Sequence, residues 1–139
     1  MSQPPLFLDT AFIYALFNTR DQWHARAVKW QKDLEADVRP LVTTQLILVE
    51  IGNGLAGQQF RQRAATIIHD LLNNPFVDVI PVTSEPFARA LQLYEQRPDK
   101  DWGLADCFSF VIMQDNKLTD ALTTDDHFRQ AGFNALLLD

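Results

Sequence analysis

Apolar and polar positions follow two rhythms along this chain. Short, wholly apolar runs alternate with longer stretches in which apolar residues recur every three or four positions, the spacing of one helix face. Leu6, Phe7 and Leu8 form a buried-strand run that ends at Asp9, and residues 11–17 follow as a short apolar helix. Trp23, Ala27, Trp30 and Leu34 predict a second helix over 21–36, their role being packing rather than stacking on a ligand. Residues 40–43 read as the second strand, and Thr44 can cap a helix over 45–55 that carries Glu50. A further amphipathic helix covers 60–73 and breaks at Asn74-Pro75. Residues 77–82 are the third strand, marked as an edge by Pro81. Thr83 or Ser84 caps the next helix, which stops at Pro98. The alternation predicts βαβ units and a parallel sheet, an α/β fold.

The longest apolar stretch runs from Cys107 to Met113, a helix buried on most sides. Asp106 sits where it begins. A carboxylate there is costly unless paired or holding a cation, although the helix N-terminus favours negative charge and capping by Asp106 or Asp101 would account for either. Beyond it, residues 121–124 are a strand ending at Asp125, 126–130 a short helix closed by Gly132, and 134–138 a last strand.

Composition narrows the possibilities. A chain of 139 residues suits one domain with a sizeable core, taken here as 1–139. The single cysteine excludes an internal disulfide and a Cys-based zinc site. Neither a signal-peptide pattern nor an apolar run of membrane-spanning length is present, so a cytoplasmic protein is expected. The net charge of −6 argues against broad nucleic-acid affinity, but acids that gather around a cation contribute to it.

The acids fall at equivalent places. Asp9 and Asp125 each close a predicted strand, Asp106 opens a helix after a loop, and Glu50 lies on the helix after the second strand. Ligands of an open parallel sheet bind beyond the carboxyl ends of its strands, so these four could converge. Carboxylates at close range raise one another's pKa, and a hard divalent cation relieves them. Mg²⁺ or Mn²⁺ fits better than Zn²⁺, since no thiol or paired histidine accompanies the acids. Such an ion orients and activates water for phosphodiester hydrolysis.

A rival reading comes from Gly52, Gly54 and Gly57, which spell G-x-G-x-x-G. With 46–49 as a strand, 60–72 as a helix and Glu85 as the ribose acid, they would make a dinucleotide-binding domain. The glycines lie deep in the chain, however, and this reading leaves the other acids unexplained. Haloacid-dehalogenase-like phosphatases need Asp-x-Asp after the first strand, where this chain has Asp9-Thr10-Ala11; response-regulator receivers need an Asp after the third strand, where it has Thr83.

Leu8-Asp9-Thr10, Glu50 with Asn53 and Leu55, Asp101 through Asp106 to Phe110, and Thr123-Thr124-Asp125 with His127-Phe128 occur in order along the chain. In this the sequence resembles the PIN-domain ribonucleases, and among them the toxins of VapC-like toxin–antitoxin pairs. The resemblance implies a three-layer αβα sandwich, Mg²⁺- or Mn²⁺-dependent cleavage of RNA, a homodimer, and an antitoxin that blocks the site. It implies Asp9, Glu50, Asp106 and Asp125 as the catalytic acids, with Asp9, Asp106 and Asp125 on the metal and Thr10, Asp101 and Thr124 in support. Gly103 departs from the family, which often has Ser there. A PIN-like module that binds partners without cleaving is the other alternative, disfavoured because a scaffold does not need four acids. Arg61 and Arg63 are candidate RNA-phosphate contacts. The apolar residues of 11–17, with Trp23 and Trp30, predict an interface, and Phe12, Leu16 and Leu55 an antitoxin groove.

Overall fold

Among the described residues, five short strands, all parallel, lie side by side in the order β3-β2-β1-β4-β5. They are β1 (Leu6–Leu8), β2 (Leu41–Thr44), β3 (Val77–Ile80), β4 (Asp120–Leu122) and β5 (Asn134–Ala135) in this computed structural model, which describes residues 3–139. β1 sits at the centre with all three side chains buried, as a strand covered on both faces must. Helices α1 (Thr10–Phe17), α2 (His24–Ala36), α3 (Gln45–Gly54) and α4 (Arg61–Asn73) pack against one another in one layer. Helices α5 (Ser84–Gln96), α6 (Leu104–Asp115) and α7 (Asp126–Gln130) form the other. The result is the expected three-layer αβα sandwich. None of the described helices is long and apolar enough to cross a membrane.

Residues 107–113 of α6 are wholly buried, so this apolar stretch lies inside the fold. Phe110 stands edge-on to Trp102 and Phe128, and Phe128 meets Phe7 of the central strand. These rings join α6, α7 and the sheet and hold the start of α6 close to the end of β4.

The chain leaves β1 toward β2 on one side and later fills in β4 on the other. That reversal makes the carboxyl ends of β1 and β4 the switch point where an open α/β sheet leaves a crevice. Asp9 follows β1 directly, and its N–H is 3.3 Å from the Leu122 carbonyl at the end of β4. Asp9 therefore closes β1, and Asp125 follows the neighbouring β4 after Thr123 and Thr124, at the same edge of the sheet.

The G-x-G-x-x-G reading fails here. Residues 46–49 are helical, with Thr44 Oγ1 accepting from the Ile47 N–H at 3.1 Å as the cap. Gly52 and Gly54 end α3, and Gly57 lies in the following turn, so no strand feeds a phosphate loop. Gly54 has a packing reason instead: a Cβ there would collide with the Tyr14 hydroxyl.

Smaller corrections concern element ends. The second helix begins at His24 because Asp21 builds a turn, its Oδ1 accepting from the Trp23 N–H at 2.7 Å. Neither Thr83 nor Ser84 caps α5 through its side chain. The fourth strand stops at Leu122, where Thr123 turns its hydroxyl to polar partners, and the fifth stops at Ala135, where the Leu138 N–H bonds back to the Ala135 carbonyl in a turn. Trp23 and Trp30 pack against the core as partly buried side chains, while Phe12, Ile13, Ala15 and Ala27 are buried outright.

Candidate metal centre

The loop from β4 to α7 is built around Thr123, which is fully buried and uses its hydroxyl twice. It donates to Asp9 Oδ2 at 2.7 Å and accepts from the Asp125 N–H at 3.0 Å. One side chain thus fixes both strand-end acids. Asp125 in turn caps α7, its Oδ1 accepting from the His127 N–H at 2.9 Å. Asp106 lies in the first turn of α6 and accepts from the Gly103 N–H at 3.0 Å, closing that helix end. Capping is therefore real for Asp106 and Asp125, but it is not their whole environment.

Asp106, Asp125 and His127 each turn a ligand atom into one small space, all within 4.8 Å of one another. His127 Nδ1 is 2.9 Å from Asp106 Oδ2 and 3.4 Å from Asp125 Oδ1. Burial lowers the imidazole pKa, but the bond to Asp106 and the charges of Asp125, Asp106 and Asp101 outweigh it, and the net shift is upward. His127 therefore sits where positive charge is wanted.

Asp9 is 8% exposed and occupies the N-cap position of α1 without capping it. Burial pushes its carboxyl up to about 7. The Thr123 bond opposes that shift, and the charges of Glu50, Asp125 and Asp106 add to it. Glu50 is raised in the same way, first by burial and then by Asp106 and Asp125, against a 3.2 Å hydrogen bond donated by Thr10 Oγ1. Tyr14 donates to the Glu50 carbonyl at 2.8 Å and holds that turn of α3 against α1. The four acids feel one another's charge, which places them around one cleft. Asp9 and Glu50 stand outside the tight Asp106–Asp125–His127 group.

The donor set suits a hard cation. It offers carboxylate oxygens from Asp106 and Asp125, with Asp9 alongside, and no thiolate. Ionised Asp9 is costly at this depth, and a cation beside it would relieve that cost.

The supporting residues divide. Thr10 touches Glu50, whereas Asp101 is exposed and acts on the site only through its charge on His127. Thr124 has no side-chain hydrogen bond among the described residues; the neighbouring Thr123 makes the bonds expected of it. Sequence reasoning missed both Thr123 and the role of His127. No local signal separates Thr123 from Thr124, and His127 gains its place only through the distant Asp106. Arg61 and Arg63 are engaged within the chain. Arg61 Nη1 donates to the Ala56 carbonyl at 2.9 Å, and the Arg63 guanidinium lies 4.3 Å over the Phe17 ring.

Comparison with known proteins agrees with this architecture. Residues 6–134 match the PIN domain family. The 23S rRNA-specific endonuclease VapC20 of Mycobacterium tuberculosis is 27% identical over 128 residues, which cover 92% of this chain and 95% of that protein. The crystal structure of VapC20, described as a Sarcin-Ricin loop cleaving toxin, superposes with a TM-score of 0.78 at 28% identity, covering 92% of this chain and 95% of that one. FitAcB from Neisseria gonorrhoeae, with a TM-score of 0.65 at 20% identity and 94% of both chains covered, shares the fold.

Proposed function

The chain belongs to the PIN domain family, and from that premise we propose that it is a single-domain, cytoplasmic, metal-dependent endoribonuclease, the toxin of a toxin–antitoxin pair. The observation that carries the reading is the gathering of Asp9, Glu50, Asp106 and Asp125 at the switch point, three of them strand-end or helix-start acids. Likeness to VapC20, an rRNA-specific endonuclease over nearly its whole length, supports RNA as substrate.

Asp106, Asp125 and Asp9 would hold Mg²⁺ or Mn²⁺, which when bound supplies Lewis-acid charge at the phosphate and lowers the pKa of a water molecule. The side chains divide the remaining work. Thr123 ties the Asp9 carboxylate to the backbone of Asp125. Thr10 turns Glu50 toward the cleft, where burial raises its pKa and makes it a stronger base toward water than an exposed carboxylate. His127 bridges Asp106 and Asp125, offsetting part of their charge as an imidazolium or offering a neutral nitrogen ligand.

The test is RNA cleavage by purified, antitoxin-free protein in Mg²⁺ or Mn²⁺. Cleavage that stops on adding EDTA and returns with the ion is expected. Activity that persists in EDTA overturns the metal site, and RNA binding with no cleavage under any ion favours the non-cleaving module.

A homodimer is also proposed, on different grounds from those in the sequence. Within 11–17, Phe12, Ile13 and Ala15 are buried in the core, while Tyr14, Leu16 and Phe17 stay partly exposed. Phe87, Leu91 and Tyr94 of α5, by contrast, lie at i, i+4 and i+7 and are 38%, 40% and 48% exposed. Such a stripe on the outer layer suits burial against a second copy. Sedimentation should give a dimer for the wild type and a monomer for Leu91→Glu; a wild-type monomer at micromolar concentration refutes it. For the antitoxin, the supporting feature is a groove of about 560 Å³ between α1, α2 and α4, lined by Phe12, Leu16, Leu34, Ile67 and Leu71. Leu55 is not part of it; it lines a separate pocket.

A further inference from the structure

That separate pocket, about 540 Å³, opens between the end of α1 and the end of α3. Tyr14 and Phe17 form one wall, Gly54, Leu55 and Phe60 the other, and Arg20 reaches in from the loop after α1. Its place in the fold ties it to the acids. Thr10, Tyr14 and Phe17 lie on one face of α1, at i, i+4 and i+7. The first of these bonds the Glu50 carboxylate and the second the Glu50 carbonyl. The third faces the pocket, about 10 Å along the helix from Thr10.

The walls are aromatic, and one arginine, Arg20, lines the pocket with them. Phe17 and Phe60 stand edge to face, their centroids 6.4 Å apart with an 82° angle between planes. Arg63 covers one face of Phe17 at 4.3 Å, so that ring is braced, while Phe60 is 36% exposed and presents a free surface. Arg61, next to Phe60, is tethered to the Ala56 carbonyl through one nitrogen. The Arg20 guanidinium makes no hydrogen bond or ion pair among the described residues; its backbone N–H is held by Asn18 Oδ1 at 3.0 Å, which fixes the loop. Arg20 thus lines the pocket and Arg63 lies over one of its two rings, in a protein of net charge −6. Aromatic platforms flanked by cations are how single-stranded nucleic acid is gripped, the rings taking a base and the cations the backbone. Gly54 keeps the pocket's back wall close, since any side chain there would displace Tyr14.

We propose that this pocket is a stacking subsite for one unpaired nucleobase of the RNA substrate, with Phe60 as the platform and Arg20 as a phosphate contact, beside the bond that the acids cleave. The proposal rests on the ribonuclease reading for the identity of the ligand. It gives the enzyme a means of choosing single-stranded or looped RNA, because a base held in a duplex cannot enter.

The experiment measures binding of a short single-stranded RNA by fluorescence anisotropy, in EDTA so that the strand survives. Phe60→Ala and Arg20→Ala should each weaken binding, the former about tenfold. Phe60→Tyr should bind as the wild type does. A single abasic nucleotide walked along the strand should cost the wild type a similar factor at one position. At that position it should cost Phe60→Ala nothing further, since the two changes remove the same contact. Equal losses for both proteins at every position, or unchanged RNA binding by Phe60→Ala, overturn the subsite. So does unchanged RNA binding with lost inhibition by the antitoxin, which would assign the pocket to that partner. Failure of the ribonuclease reading looks different: RNA is bound in a Phe60-dependent way but is left intact when Mg²⁺ or Mn²⁺ is added.

Discussion

Asp106→Asn is expected to lower Mg²⁺-dependent RNA cleavage by about 10²- to 10³-fold, since charge stabilisation by a bound ion supplies several kcal/mol of the barrier reduction. Asn is the informative choice because of what else Asp106 does. Its Oδ2 accepts from the Gly103 N–H at the start of α6, and an amide oxygen can make the same bond. The substitution thus keeps the cap and removes only the charge. Asp125→Asn has the same logic, as the cap on the His127 N–H can survive. Glu50→Gln should retain more activity, since Glu50 lies outside the tight group and acts on water rather than on the ion. If the acids serve only as caps, Asp106→Asn and wild type will cleave alike, and that equality in a single-turnover assay sinks the metal-site reading. Thermal melts in EDTA guard against a trivial loss of fold. Removing one of several repelling carboxylates should leave the melting temperature unchanged or higher.

What the sequence made legible was whatever a short window encodes. The wholly apolar Leu6–Leu8 run, the Thr44 cap, and the 107–113 stretch announced their elements because burial and capping are decided locally. The convergence of the four acids was readable from topology alone, because a parallel sheet brings all its carboxyl ends to one edge. Three things were not readable. The Thr123 hydroxyl serves residues 114 positions away and two positions away at once, and nothing within its own window distinguishes it from Thr124. His127 gains its role only when α6 brings Asp106 beside α7. Which apolar residues of 11–17 stay on the surface was the third: Phe12, Ile13 and Ala15 are buried, Leu16 and Phe17 only partly, and a further exposed apolar stripe lies on α5.

The pH dependence follows from Asp9. Its carboxyl titrates near 7 in the folded protein and near 3.8 in the unfolded chain, so between these values the folded form holds the proton more tightly. Stability without metal is then greatest below about pH 4 with respect to this group, and is lost as pH rises through 7. The difference sets an upper bound of about 4 kcal/mol on the strain from ionised Asp9 at pH 8. Asp9→Asn abolishes it, and should raise the melting temperature by several degrees at pH 8 in EDTA and by about a third as much at pH 5. Mg²⁺ reverses the pattern for the wild type. The ion binds the deprotonated carboxylate, so its affinity should rise steeply across pH 6 to 8 and its binding should release a proton. Cleavage at limiting Mg²⁺ should climb over the same interval, with a midpoint that moves to lower pH as Mg²⁺ is raised, because ion and proton compete for one oxygen. Differential scanning calorimetry at pH 5 and pH 8, with and without Mg²⁺, reads the whole cycle. A wild type stabilised by Mg²⁺ equally at both pH values, or an Asp9→Asn variant no more stable than wild type at pH 8, would mean that Asp9 neither carries the strain nor meets the ion.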